Sequence, residues 1–277
     1  MKNILVLGAA GMAGHTIYEY LRFHSAFKVF STARNDRYIR PDYCIDAGNV
    51  KVIKDIIEKE KIDVVINCIG LLVTDCNEDL GKALYINGCF PHCLEMMTRK
   101  TKTKVIHLST DCVFSGMKGN YSESDNPDET NNYGRCKRAG EIINRKDLTL
   151  RMSIIGNELK SNGNGLFEWF MRQKGTIKGY SKYFWSGITT LELTKQIKKI
   201  IELPTNLIGL YHLSPDFFIS KYGLLKLMAK IFNKKIIINS DDTVKKNKVL
   251  INNRKKEYYP NIPSYIDQLE EMKEFIK

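Results

Sequence analysis

Tyr133 and Lys137 stand four residues apart in Tyr133-Gly-Arg-Cys-Lys137, and Ser109-Thr110-Asp111 precedes them. On a helix this spacing puts both side chains on one face. An ammonium beside a phenol favours the phenolate and is expected to lower the tyrosine pKa. A tyrosine so placed can give a proton to a carbonyl oxygen during a reduction. The Thr110 hydroxyl can bond the same oxygen and hold the carbonyl in line. In a chain with 14 tyrosines the spacing is not rare, and it recurs at Tyr222 and Lys226. Context separates the two. Tyr133 follows a strand-like run ending at Ser109-Thr110, whereas Tyr222 reads as part of an amphipathic helix.

A second chemical feature lies near the N-terminus, in Gly8-Ala9-Ala10-Gly11-Met12-Ala13-Gly14. It sits between a strand-like run and a helix-like one. Glycines there permit a tight turn and let backbone N–H groups approach a pyrophosphate at a helix N-terminus. The segment therefore reads as a dinucleotide-binding turn. The second strand ends in Ser31-Thr32-Ala33-Arg34, with no acid for a ribose 2′-hydroxyl. An arginine fork suits a 2′-phosphate, so NADPH is expected over NADH. Asn67-Cys68-Ile69-Gly70 ends another strand beside the expected nicotinamide crevice, and Asn87 lies on the following helix.

These residues need a scaffold, and the chain spells one. Residues 4–7, 29–32, 64–68, 105–109 and 148–153 are short apolar or β-branched runs. Helical patterns at 12–24, 50–60, 79–98 and 132–145 alternate with them. The rhythm predicts an α/β fold with a Rossmann-type, doubly wound parallel sheet. Past about residue 155 the rhythm loosens. Ser161-Asn-Gly-Asn-Gly165 reads as a loop, 166–174, 190–202 and 220–232 as helices, and 211–213 as a short strand. We divide the chain into a cofactor-binding domain over 1–155 and a smaller C-terminal substrate-binding lobe over 156–277, with some segments returning to the sheet.

Composition narrows the class. The 277 residues are 43% hydrophobic, and no apolar run approaches a membrane span. No secretory leader is visible, so a cytoplasmic protein with no membrane partner is expected. Seven cysteines are scattered without a CxxC pair, which reads as reduced thiols. Cys89, His92 and Cys93 do not complete a ligand set, so no metal is expected. The formal net charge of +12 fits either nucleic acid or a phosphate-bearing ligand. We read it as the second, with no nucleic-acid partner. The densest basic stretch, 245–256, suggests Lys248 or Arg254 at a diphosphate.

The GxxGxxG spacing of Gly8, Gly11 and Gly14 resembles that of extended short-chain dehydrogenases/reductases, which places Asp46 near adenine. The segment Ser109-Thr-Asp-Cys-Val-Phe-Ser-Gly116, then Gly119-Asn-Tyr-Ser-Glu123, Tyr133 to Lys137 and Leu150-Arg-Met-Ser-Ile-Ile-Gly156 resemble dTDP-4-dehydrorhamnose reductases in order. That likeness implies NADPH-dependent reduction of the C4 ketone of a nucleotide-activated 4-keto-6-deoxysugar. Thr110, Tyr133 and Lys137 would be the catalytic trio, and Ser109 would line the cofactor. Asp111, Cys112, Val113, Phe114, Ser153, Trp169 and Ser186 would face the substrate. Ser181-Lys-Tyr-Phe-Trp-Ser-Gly187 and Asn247-Lys248 depart from the rhamnose-pathway pattern. A UDP-2-acetamido-2,6-dideoxy-4-hexulose therefore stands beside dTDP-4-dehydrorhamnose as substrate. A 3-epimerase step in the same pocket would draw on Cys112 or His92. The expected partners are the nucleotide-sugar and a second copy of the chain. The rival function is a non-catalytic NADP-binding regulator, which often lacks the tyrosine or the lysine.

Overall fold

Seven strands, every neighbouring pair parallel, make the central sheet of the computed structural model, which describes residues 1–160, 163–204 and 206–276. They are β1 (Asn3–Leu7), β2 (Lys28–Ala33), β3 (Tyr43–Cys44), β4 (Val64–Asn67), β5 (Lys104–Leu108), β6 (Leu148–Arg151) and, much later, β11 (Gly209–His212). Their spatial order is β11-β6-β5-β4-β1-β2-β3. The chain runs outward from β1 to β3, then crosses back to β4 and builds the other half. That reversal opens a crevice at the strand C-termini between β1 and β4, where such sheets bind ligands.

Both faces of the sheet are covered, which is why its strands read as continuous apolar runs. Ile4 and Val6 face helix α1 (Met12–His24) and helix α8 (Thr190–Glu202), where Ile17, Leu21, Ile197 and Ile200 are buried. Leu5 and Leu7 face the other way, onto Ile53, Ile56 and Ile57 of α2 (Val50–Lys59) and Phe90 and Leu94 of α5 (Phe90–Thr98). Each such side chain contributes about 1.5–3 kcal/mol by leaving water.

Two helices differ from the sequence expectation. Residues 79–98 are not one helix. Short helices α3 (Val73–Glu78) and α4 (Leu80–Ala83) lead into a wider π-turn over Leu84–Cys89, and only then does α5 begin. Asp79 caps α4 by accepting the Lys82 N–H at 2.9 Å. Helix α6 (Asn132–Ala139) stops six residues short of the expected 145. Gly140 closes it where a Cβ would collide with the Asn87 carbonyl oxygen. Thr149 then captures both backbone groups of Ile142, accepting its N–H at 3.0 Å and donating to its carbonyl at 2.7 Å.

The C-terminal half supplies short strands with no periodic signal. β7 (Ile154–Ile155) pairs β10 (Ile188–Thr189). β8 (Thr176–Tyr180) pairs β13 (Ile237–Asp241), and β9 (Tyr183–Trp185) lies between β12 (Ile219–Ser220) and β14 (Lys246–Asn247). With α7 (Leu166–Arg172), α9 (Lys221–Ile231) and α10 (Tyr265–Ile276) they enclose a second core around Phe170, Trp185, Leu224 and Leu269. The lobe is tied to the sheet. β11 and α8 belong to the central layers, and Thr16 of α1 bonds Thr190 of α8 at 3.2 Å. Ser161 and Asn162 of the expected loop lie outside the described residues.

Candidate active site

The glycine turn sits at the β1 side of the crevice. Gly8 has φ +79°, a conformation other residues resist, and a Cβ on Gly14 would strike the Gly8 carbonyl oxygen. Helix α1 thus starts hard against the turn. Its N-cap, Gly11, makes no side-chain cap bond, and the first turn, with Met12 and Ala13, has no acid. That end presents free N–H groups and a positive dipole end, the features a pyrophosphate requires. Ala10 lies on the turn and is partly buried. Arg34 is exposed just past β2, and Arg37 and Arg40 are exposed on the same loop. Asp46 uses one carboxylate oxygen on the Gly48 N–H at 2.9 Å and is otherwise exposed. These residues fit a dinucleotide.

Across the crevice, the residues after β4 are shaped by two buried asparagines. The Asn67 amide donates to His107 Nδ1 at 3.1 Å and accepts the Ile69 N–H at 3.1 Å. Ile69 Cγ1 in turn backs Gly8. From the π-turn, Asn87 bonds both backbone groups of Leu71, at 2.9 and 3.0 Å, and its Oδ1 lies beside Gly70. Asn67 and Asn87 use their amides to set the path of the strand-to-helix loop beside the expected nicotinamide crevice. Burial pushes the Cys68 thiol up to about 12 against the pull of Lys137, so it stays neutral.

The reactive groups meet beyond β5. Asn131 caps α6, accepting the Gly134 N–H at 2.8 Å, and so places Tyr133 and Lys137 on one face. The Tyr133 hydroxyl faces the Thr110 side chain. Thr110 accepts the Cys112 N–H at 3.1 Å and donates to Asp111 at 3.3 Å. Lys137 is buried and donates to the Leu108 carbonyl at 2.7 Å. The lysine was expected to lower the tyrosine pKa, but Tyr133 is raised instead. Burial is the main cause, with Cys112 and Asp111 adding to it. The phenol holds its proton. Lys137 is pulled down to about 8 by burial, against the attraction of Glu141.

Several other expected site residues already have partners within the protein. The Ser109 hydroxyl donates to Glu141 at 2.7 Å. Glu141 forms a buried two-point pair with Arg151, both bonds 2.7 Å. Val113 and Phe114 are fully buried, with Phe114 stacked on Tyr121 at 4.1 Å, so they form the floor beneath the site. Ser186 accepts the Leu250 N–H at 2.9 Å and steadies the segment carrying Lys248. Ser153 accepts the Trp185 indole N–H at 2.7 Å. Trp169 is exposed on α7, one turn after Gly165, which lies beside Met12. Tyr222 and Lys226 stack on the outer helix α9.

Lys248 does reach the site. It is buried, pairs with Glu129 at 3.4 Å, and feels Cys112 and Asp111. Burial works to lower its pKa, but these three groups outweigh it and the net shift is upward. Arg254 does not reach it. It pairs with Glu257 and donates to the carbonyls of Ile208 and Leu210, bracing β11. Sequence reading missed Tyr183 and Lys221 of the lobe, which feel the charges of Asp111 and Cys112. No local pattern marks them. Tyr183 opens a three-residue strand and Lys221 opens α9.

A family model described as RmlD substrate binding domain matches residues 1–247. The spore coat polysaccharide biosynthesis protein SpsK of Bacillus subtilis (strain 168) is 26% identical over 229 residues, covering 80% of this chain and 76% of that one. A dTDP-4-dehydrorhamnose reductase of Aggregatibacter actinomycetemcomitans is 26% identical over 235 residues, with the same 80% and 76% coverage. The crystal structure of a dTDP-4-dehydrorhamnose reductase from Bacillus anthracis, in complex with NADP, superimposes with TM-score 0.84 over 100% of both chains at 21% identity.

Proposed function

The chain belongs to the family of RmlD substrate binding domains, and from that premise we propose that it is an NADPH-dependent reductase of the C4 ketone of a nucleotide-activated 4-keto-6-deoxysugar. The observation that carries this reading is the meeting of Thr110, Tyr133 and Lys137 at the strand ends beside the glycine turn. The presence of the tyrosine, the lysine and the threonine together supports an enzyme over a non-catalytic regulator.

NADPH, when bound, supplies the hydride. Thr110 and Tyr133 then hold the ketone oxygen between two hydroxyls, and the Tyr133 phenol, kept protonated by its burial, gives that oxygen its proton. Lys137, whose charge is felt at Cys68, would supply a positive charge at the nicotinamide end of a bound cofactor. The glycine turn and Arg34 would hold the cofactor's phosphates. Cys112 keeps its proton, because burial pushes its thiol up to about 12, and so it offers no base for a second proton transfer at C3. His92 lies elsewhere, bonded to the Ala139 carbonyl at 2.7 Å. The reading is therefore reduction without epimerisation, on dTDP-4-dehydrorhamnose or a UDP-2-acetamido-2,6-dideoxy-4-hexulose.

The test is NADPH oxidation, followed by absorbance, with each of these 4-keto sugars. Turnover of at least one is expected. NADPH oxidation with none of them overturns the reading. In the same assay NADPH should outperform NADH. Arg34→Ala should narrow that preference by about tenfold or more, the worth of a charge-assisted bond to a 2′-phosphate. An unchanged ratio would assign the phosphate to Arg37 or Arg40 instead.

The pH profile carries a further expectation. Lys137 is charged below about 8 and neutral above it, while Tyr133 keeps its proton well past that point. Since kcat/KM reports the free enzyme, it should fall as pH rises through about 8. In Lys137→Arg the guanidinium stays charged, so the alkaline limb should disappear from that range. A limb that persists near 8 in this variant belongs to another group.

A further inference from the structure

We infer that Lys221 binds a phosphate oxygen of the substrate's nucleoside diphosphate and so fixes the sugar against Thr110 and Tyr133, an assignment that rests on the function proposed above. Lys221 is the first residue of α9. The helix start does not need its side chain, because Ser220 already caps it by accepting the Gly223 N–H at 3.0 Å. The ammonium instead lies over two aromatic rings, 4.9 Å from the Trp185 centroid and 5.7 Å from that of Tyr183. Trp185 is buried and pinned by Ser153, so this platform is rigid.

What distinguishes Lys221 from Lys248 is its lack of a counter-charge. Among the described residues no carboxylate lies within ion-pairing distance of Lys221, whereas Lys248 has Glu129. Burial, with Lys248 adding to it, lowers the Lys221 pKa, and Asp111 and Cys112 only partly oppose this. A partly buried ammonium without an anion is costly unless a ligand completes it. Aromatic faces attract the cation and leave its N–H groups free. A neutral hexose has no anion to offer, and the diphosphate beside it has two. With Arg254 committed to β11 and Lys248 to Glu129, Lys221 is the cation placed to meet it. It feels Asp111 and Cys112 from the opposite lobe, so a bound diphosphate would lie between the two halves of the cleft.

The test uses UDP and dTDP alone as probes, titrated calorimetrically into the full-length protein with NADPH present. The wild type is expected to bind at least one. Lys221→Gln should weaken that binding by about tenfold or more, the scale of a lost charge-assisted hydrogen bond. Lys221→Arg should retain most of it. Lys226→Gln, on the outer face of α9, should leave it unchanged, and NADPH affinity should be the same in all four proteins. Uridine or thymidine, which carry no phosphate, should not distinguish Lys221→Gln from wild type. If Lys221→Gln binds the nucleoside diphosphate as tightly as wild type, the assignment is wrong while the proposed function stands. If the wild type binds neither UDP nor dTDP, the proposed function itself fails.

Discussion

Tyr133→Phe is expected to lower kcat by about 10²–10⁴-fold, the usual contribution of general acid–base catalysis, with NADPH affinity nearly intact. The change removes one hydroxyl and keeps the ring, which packs against the cluster of Cys76, Ala83 and Cys136. Folding should therefore be undisturbed, and a melting curve would show it. The remaining hydroxyl, Thr110, can still bond the ketone oxygen but is no comparable acid. Tyr222→Phe is the matched control, since Tyr222 lies on α9 against Gly179, apart from the cleft. Steady-state kinetics on the three proteins decides the matter. Equal losses in both variants would mean that the effect is one of folding, and no loss at Tyr133 would remove it from catalysis.

Arg151→Met should destabilise the protein by about 3–5 kcal/mol, the cost of leaving a buried carboxylate without its partner. Glu141 and Arg151 are both almost fully buried, their side chains 4% and 3% exposed. The remaining bond to Glu141 comes from the Ser109 hydroxyl. The guanidinium also lies 5.1 Å from the Phe114 ring centroid and 3.4 Å from His212 Nε2, so it joins β6, β11 and the turn that carries Thr110. Denaturant unfolding would measure the loss as a lower midpoint at unchanged slope. Removing both charges, in Arg151→Met with Glu141→Leu, should recover much of it, because an apolar pair can replace a buried ion pair. A double variant as unstable as the single one would show that the cost came from packing and not from the stranded charge.

The sequence by itself determined the features whose cause is local. A glycine turn between a buried strand and a helix follows from three residues and their spacing, as does the shared face of Tyr133 and Lys137. The parallel sheet followed from strands apolar on both faces and joined by helices. Even so, local pattern overran at 145, where Gly140 meets Asn87 across 53 positions, and at 79–98, where the helix widens into a π-turn. Strands of two or three residues, such as β7, β9 and β14, have no period to read and exist only through their partners.

Tertiary structure alone decided which charged and polar groups are free to act. Ser109, Asn87, Ser186 and Arg254 have the right types for a site, yet each is committed to a partner within the protein. Val113 and Phe114 carry a recognisable motif and lie beneath the surface. The Tyr133 shift runs upward, against the expectation, because desolvation dominates it and the Lys137 ammonium turns to Leu108. Lys248 and Lys221 look alike in sequence, but Glu129, 119 positions away from Lys248, neutralises only the first. Whether a charge is paired depends on distance and burial, and both are set by contacts between residues far apart along the chain.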